Sequence, residues 1–212
     1  MAQRIAQLIA IALAVAAAGC STAPARFYSL ASTATADGTP ATPAAVMVGP
    51  VTIPASVDQP EFVVQVAPNQ VEVNEFNRWV SPLGDGIARA VAADLVVLLG
   101  SPEVASAELA NFTPDYRVTI DVQRFESVQG QTATLEAVWT VRKTTGGVTR
   151  SGRTVAREPV HGQGFDALAA AHSQALAKMS GDIAAAIRAE AEQKTSASTE
   201  SDFSEVKGKV IL

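Results

Sequence analysis

Between Tyr116 and Val141, apolar and polar side chains take turns with a period of two, interrupted around one glycine. Tyr116, Val118, Ile120 and Val122 alternate with Arg117, Thr119, Asp121 and Gln123. After a turn at Gly130, Ala133, Leu135, Ala137, Trp139 and Val141 alternate with Thr134, Glu136 and Thr140. Successive side chains of a strand point to opposite faces, so each stretch reads as a strand dry on one side and wet on the other. Gly146 and Gly147 turn the chain into a third, polar strand over 148–156, where Arg150, Gly152, Arg153 and Thr154 suit an exposed edge. Three strands joined by short turns make an antiparallel meander, and its dry face needs a covering layer.

Two helices supply that layer. Ser81-Pro82 offers a capping hydroxyl followed by a proline at the first turn. Leu83, Ile87, Val91, Leu95 and Leu98 then recur at spacings of four and three, and Gly100 and Pro102 end the run. Asp85 and Arg89 are placed to pair on the opposite side. From about 165 to 190 a second stripe is formed by Phe165, Leu168, His172, Leu176, Met179, Ile183 and Ile187. Upstream, Val46 to Ile53 reads as a strand broken by Gly49-Pro50, Phe62 to Val66 as another, and Gln70 to Trp79 as a hairpin. The expected fold is mixed α/β. A single two-layer domain spans 46–190, with a mixed or antiparallel sheet and two main helices packed on it.

Composition removes several functions. Hydrophobic residues make up 48% and charged residues 17% of 212, enough apolar surface for one globular core. A net charge of −5 gives no basic footprint, so nucleic acid is not an expected partner. One cysteine excludes an internal disulfide framework and a cysteine-rich zinc site, and two histidines make no histidine-rich metal site. Residues 31–45 contain only Ala, Ser, Thr, Pro, Asp and Gly, which predicts a flexible tether, so that residues 20–45 form a leader to the domain. Residues 191–212 form a polar tail, expected to be disordered, that ends in Val210-Ile211-Leu212. That apolar end either frays or adds to a sheet or partner.

The lone cysteine is at an informative place. Arg4 is the only charge before residue 26, and Ile5 to Ala18 is apolar or small apart from Gln7. A charged start, a short apolar run and small residues at its end describe an export signal, over residues 1–19. The run is too short to span a bilayer as a helix. Ala17-Ala18-Gly19-Cys20 looks like the bacterial lipobox, with Ala17 where leucine is usual. In that box the cysteine sulfur receives a diacylglycerol, the signal is cut before it, and the new amine is acylated. Cys20 is therefore the expected lipidation site. Ser21, rather than an aspartate, favours sorting to the outer membrane of a Gram-negative cell. Several acyl chains anchor firmly where one does not.

No catalytic constellation stands out. Gly162-Gln163-Gly164 lacks the third glycine and the Lys-Ser/Thr pair of a phosphate loop and reads as a turn before the last helix. There is no Gly-x-Ser-x-Gly elbow. His172 falls on an apolar stripe, where a packed histidine is the simpler reading, and His161 has no nucleophile or carboxylate near it in sequence. No catalytic residue, metal ligand or cofactor is assigned. Phe76, Arg78 and Trp79 cluster before the first helix in a chain with 5% aromatics. Trp79 either plugs the core or forms a contact edge for a partner. With Arg150 and Arg153 of the polar strand, Arg78 and Trp79 are the candidate partner contacts.

These segments, taken in order, resemble the ABC-type transport auxiliary lipoproteins, the PqiC-like family. The lipobox followed by Arg26-Phe27-Tyr28-Ser29-Leu30 looks like its opening, as do Val48-Gly49-Pro50-Val51 with Ile53-Pro54 and Val57-Asp58-Gln59-Pro60. Asn77-Arg78-Trp79 with Pro82-Leu83 resembles the family's Arg-Trp-x-x-Pro-Leu step, although Val80-Ser81 stands where an acidic residue often precedes the proline. Val122 to Glu126, the strand around Trp139, and the alanine-rich helix with Ser173, Leu176 and Ile183 match its later parts. The resemblance implies an outer-membrane lipoprotein facing the periplasm. Its partners would be an MCE-domain protein with an ABC permease and ATPase, its cargo phospholipid or another lipophile, and homo-oligomers are plausible. No ATP site is expected in this subunit. An assembly lipoprotein that chaperones an outer-membrane protein is the rival reading.

Overall fold

The period-two stretches form the predicted meander. In the computed structural model, which describes Arg4, residues 24–147 and 149–209, with side chains to Glu192, strands β6 (Tyr116–Val128), β7 (Thr132–Lys143) and β8 (Thr149–Pro159) pair antiparallel in sequence order. Val118, Ile120, Val122, Leu135, Ala137 and Val141 face the core. Alternation breaks once, at a bulge between Val122 and Arg124 of β6. The extra residue restores the phase, so that Phe125 and Ser127 point inward again.

Two sheets stand where the sequence predicted one. The five-stranded sheet has the order β5-β2-β6-β7-β8, with β2 (Val46–Thr52) parallel to β6 and the short β5 (Val104–Ala105) parallel to β2. The second sheet has the order β1-β4-β3. Here β3 (Glu61–Ala67) and β4 (Gln70–Trp79) form a hairpin, and β1 (Arg26–Tyr28) runs parallel to the end of β4. The physical reason is occupancy of edges. Strand β2 takes the free edge of β6, so the hairpin pairs with the chain's own N-terminal segment. Gln70 to Trp79 is accordingly one strand of a hairpin with β3 rather than a hairpin by itself.

Helices α1 (Leu83–Leu99) and α2 (Phe165–Lys209) cover the dry face. Leu83, Ile87, Val91 and Leu95 of the first stripe are buried, and the run closes on Leu99 rather than Leu98. Leu168, His172, Leu176, Met179, Ile183 and Ile187 are all buried on α2. Each such aliphatic side chain contributes about 1.5–3 kcal/mol by leaving water. The start of α1 differs from the expectation. Pro82 occupies the N-cap with no side-chain cap bond, and the Ser81 hydroxyl accepts a bond from Arg89, which does not pair with Asp85. Gly100, in the left-handed conformation, ends α1 as predicted. Helix α2 runs to Lys209, past the end near 190 that its apolar stripe suggested, through residues that contain no glycine or proline before Gly208. Residues 1–3, 5–23 and 210–212 lie outside the described residues, and with them most of the signal segment, Cys20 and the Val-Ile-Leu terminus.

The largest correction concerns residues 31–45. Composition predicted a flexible tether, but this segment is a strap laid across both helices. The Ala31 amide donates to the Ser173 hydroxyl at 3.1 Å, and the Thr33 hydroxyl donates to the Ser173 carbonyl at 3.2 Å. The Ser32 hydroxyl and the amides of Thr33 and Ala34 converge on Asp94 Oδ1 at 2.7, 3.1 and 3.1 Å. Further on, the Thr42 amide donates to the last helical carbonyl of α1, Leu99, at 2.8 Å, and Ala44 and Ala45 are buried. Small side chains let the strap approach closely: a Cβ added at Gly100 would meet Ala41 Cβ at 3.1 Å. A strap outside regular structure leaves its backbone donors without internal partners, and the helices supply acceptors for them.

Candidate functional site

Strand β4 delivers Arg78 and Trp79 to opposite faces. The Trp79 side chain points inward, is 6% exposed, and stacks on Phe62 with ring centroids 4.2 Å apart. Phe125 and Phe165 meet this pair edge-on, at 6.1 Å from Trp79 and 5.2 Å from Phe62. Such aromatic contacts add about 0.5–1.5 kcal/mol beyond area burial. Of the two roles open to Trp79, its ring takes the core plug. Arg78 points outward, half exposed, and pairs with Glu61 across the hairpin. The guanidinium holds the Glu61 carboxyl below the usual carboxylate range. Only an edge of Trp79 reaches the surface. It forms one wall of a cleft of about 360 Å³ with Asp58, Gln59, Pro60, Val80, Ser81, Pro82 and Leu83. The Arg-Trp-x-x-Pro-Leu step therefore shapes a small, open, mixed polar and apolar surface.

The polar strand β8 is the edge that the sequence predicted. Its two arginines have separate fates. Arg150 faces α2 and pairs with the buried Glu190. Thr154 and Glu158, on the same face, meet Asp182 at 2.5 Å and Lys178 at 2.5 Å. This inner row fastens the edge strand to α2 through polar pairs on either side of the buried Ala156. The Trp139 indole donates to Thr154 at 3.0 Å and lies over Gly152, where a Cβ would clash with the ring. Arg153 is on the outer face, 60% exposed, and pairs with Glu136, which Arg124 also approaches at 3.7 Å. Of the four candidate contacts, Arg78 and Arg153 present charge to solvent, Trp79 presents an edge, and Arg150 is engaged within the domain. The fold does not gather them into one site.

The two histidines lie apart. His161 is exposed in the loop before α2. His172 is fully buried, stacked on Phe125 with centroids 3.8 Å apart, and its Nε2 lies 2.8 Å from the Ser127 hydroxyl. Burial pushes its pKa down to about 3. A neutral ring in an aromatic stack packs the core. Among the described residues, no group of three His, Cys, Asp or Glu side chains could hold a metal ion, and no helix is long and apolar enough to cross a membrane.

Sequence reasoning missed one constellation, the clip that fastens the strap. Asp94 is 0% exposed and accepts from Ser32, Thr33 and Ala34 on Oδ1 and from Ser180 on Oδ2, the last at 3.0 Å. A carboxylate between Val91 and Leu95, next to the buried stripe of α1, was the available signal, as were Ser173 and Ser180 on α2. Buried charged groups require partners, and a short stretch of hydroxyls and free amides can supply them.

Fold and surfaces together define a class first: a small mixed α/β domain, held along its N-terminal segment, with open polar surfaces at one sheet edge and beside one helix start. Residues 28–184 match the family of ABC-type transport auxiliary lipoprotein components, and the chain belongs to that family. It is a transport auxiliary family and not an enzyme family, which associates the chain with a transport system and a membrane-anchored place in the cell envelope. No curated protein matches at a significant level. A crystal structure of a Xanthomonas campestris protein is similar at a TM-score of 0.67 and 21% identity, over 81% of this chain and 99% of that one. A second crystal structure, of an uncharacterized protein, gives 0.64 and 21%, over 78% and 99%. Both show the shared fold.

Proposed function

We propose that this chain is a periplasm-facing lipoprotein of the outer membrane, the auxiliary subunit of an MCE/ABC-type system that moves phospholipid between membranes. The observation that carries this reading is the family match over residues 28–184, in a chain whose only cysteine closes an export-signal pattern. Acyl chains on Cys20 hold the domain beneath the outer membrane, and the domain docks the distal end of an MCE assembly, with an ABC permease and ATPase at the other end. The chain contributes position rather than chemistry. Its docking surfaces are the cleft beside Arg78 and Trp79 and the β8 edge with Arg153, while Arg150 keeps that edge in place through Glu190.

Replacing the anchor tests the reading. Cys20→Ala, expressed behind a secretory signal that is cleaved without lipidation, is expected to move the protein from the membrane pellet to the soluble periplasmic fraction, with an unchanged circular dichroism spectrum and loss of envelope integrity. Affinity purification of the native chain is expected to recover an MCE-domain protein. Recovery of a β-barrel or secretin instead supports an assembly lipoprotein, and full complementation by the soluble form rules out tethering as the mechanism.

A further inference from the structure

The strap changes what a lipid anchor at Cys20 would do to the domain. Were residues 20–45 a loose tether, the body could stand well away from the bilayer. The chain is instead fastened from Arg26 onward: β1 pairs with Asn77 to Trp79, and the strap is tied to Asp94 and Ser173. Six residue steps separate Cys20 from Arg26, and even fully extended they reach only about 22 Å. The root of β1 must then lie within that distance of the glyceride, whatever the intervening residues do.

The surface at that root fits a lipid interface. Pro24, Arg26 and Phe76 line one open cleft with Gln129 of the β6–β7 turn and Gln163 before α2, so three loops come together at the root of β1, at one end of the domain. Phe27 is 62% exposed and Phe76 is 41% exposed. In a chain with seven phenylalanines, two exposed rings beside the anchor root are a notable concentration. Arg26 is exposed and makes no ion pair among the described residues. Glu75 and Asp166 share this end, so net charge does not drive the contact, and the rings carry it. Aromatic side chains flanked by polar groups settle at the headgroup level of a bilayer. On the reading of Cys20 as the lipidated residue, we infer that this end of the domain, led by Phe27 and Phe76, rests against the bilayer surface. The β7–β8 turn at 144–147, a 12-residue strand or about 40 Å from the β6–β7 turn, faces away from it.

Quenching by brominated lipids tests the orientation. The lipidated full-length mature chain is placed in vesicles of phosphatidylethanolamine and phosphatidylglycerol with brominated acyl chains. One bimane label at a time is attached through Phe27→Cys, Phe76→Cys or Thr145→Cys. The first two labels are expected to lose most of their fluorescence, and the label at 145 to keep its own. Equal intensities at all three positions, with the protein still pelleting with the vesicles, overturn the inference and leave the lipoprotein reading standing. A mature chain whose mass shows no lipid and which stays in the supernatant overturns both.

Discussion

Two fully buried titratable side chains sit in the helical layer, one on each helix, and they are treated in opposite ways. Asp94 on α1 is surrounded by donors from the strap and from Ser180, and both of its oxygens are used. His172 on α2 has one polar neighbour, Ser127, and its Nδ1 has no hydrogen-bond partner. The first group is kept in the interior by hydrogen bonds that also tie three distant segments together. The second is kept there by losing its charge and stacking as a flat ring on Phe125. A buried carboxylate is stable only where partners come to it, whereas a buried imidazole can discard its proton. One side chain is therefore a fastener, and the other is packing that is sensitive to acid.

The largest expected effect breaks the fastener. Asp94→Ala should cost about 3 kcal/mol in denaturant unfolding, because it removes one acceptor from several donors at once. It should also strip hydrogen-exchange protection from the Thr33 and Ala34 amides. If those amides stay protected, Asp94 is not what holds the strap. Acid sharpens the contrast from the other side. The unfolded chain binds a proton at His172 below about pH 6.5, while the folded chain resists until about 3. The unfolded state thus binds more protons in that window, and stability falls as pH drops through it, by about 2 kcal/mol at pH 5 relative to neutrality. Above pH 6.5 the histidine contributes no slope. His172→Leu should flatten that part of the curve in a pH series of unfolding midpoints, and an unchanged slope would assign the acid sensitivity elsewhere. The smallest effect belongs to the exposed end of the strap. Asp37, held well below the usual carboxylate range by the Arg188 guanidinium, pairs with it at 2.8 Å, the carboxylate in water and the guanidinium largely covered. Asp37→Asn should change the melting temperature little and less still at high salt, since the exposed carboxylate is screened and Arg188 keeps its bond to the Leu98 carbonyl.

How much of this could be read from the residues depended on where each segment finds its partners. The meander and both apolar stripes were legible because periodicity is local: a strand or helix that buries one face declares it within ten residues. The bulge at Val122–Arg124 was not, since a single extra residue only shows when the partner strand is known. Strands β1 and β5, of three and two residues, are too short to carry a pattern. The strap was misread for a related reason. Ala, Ser and Thr make no core of their own, but they suit a segment that is clamped by others, and composition does not distinguish the two. In the same way Arg150 looked like a free edge charge until α2 placed Glu190 beside it. Trp79 was legible as one of two alternatives, and the side of the strand on which Phe62 lies decided between them.

The strap's partners are widely separated from it along the chain: Ala31 meets a hydroxyl 142 residues downstream, and Ala34 a carboxylate 60 downstream. Synthesis runs from the N-terminus, so these first residues exist long before Ser173 and Ser180 do. Contacts so remote in sequence close late, after nearer ones have reduced the loop entropy. This early segment is then among the last to be fully secured: its bonds to Asp94 need only α1, but those to Ser173 wait until the last helix has been made and has docked.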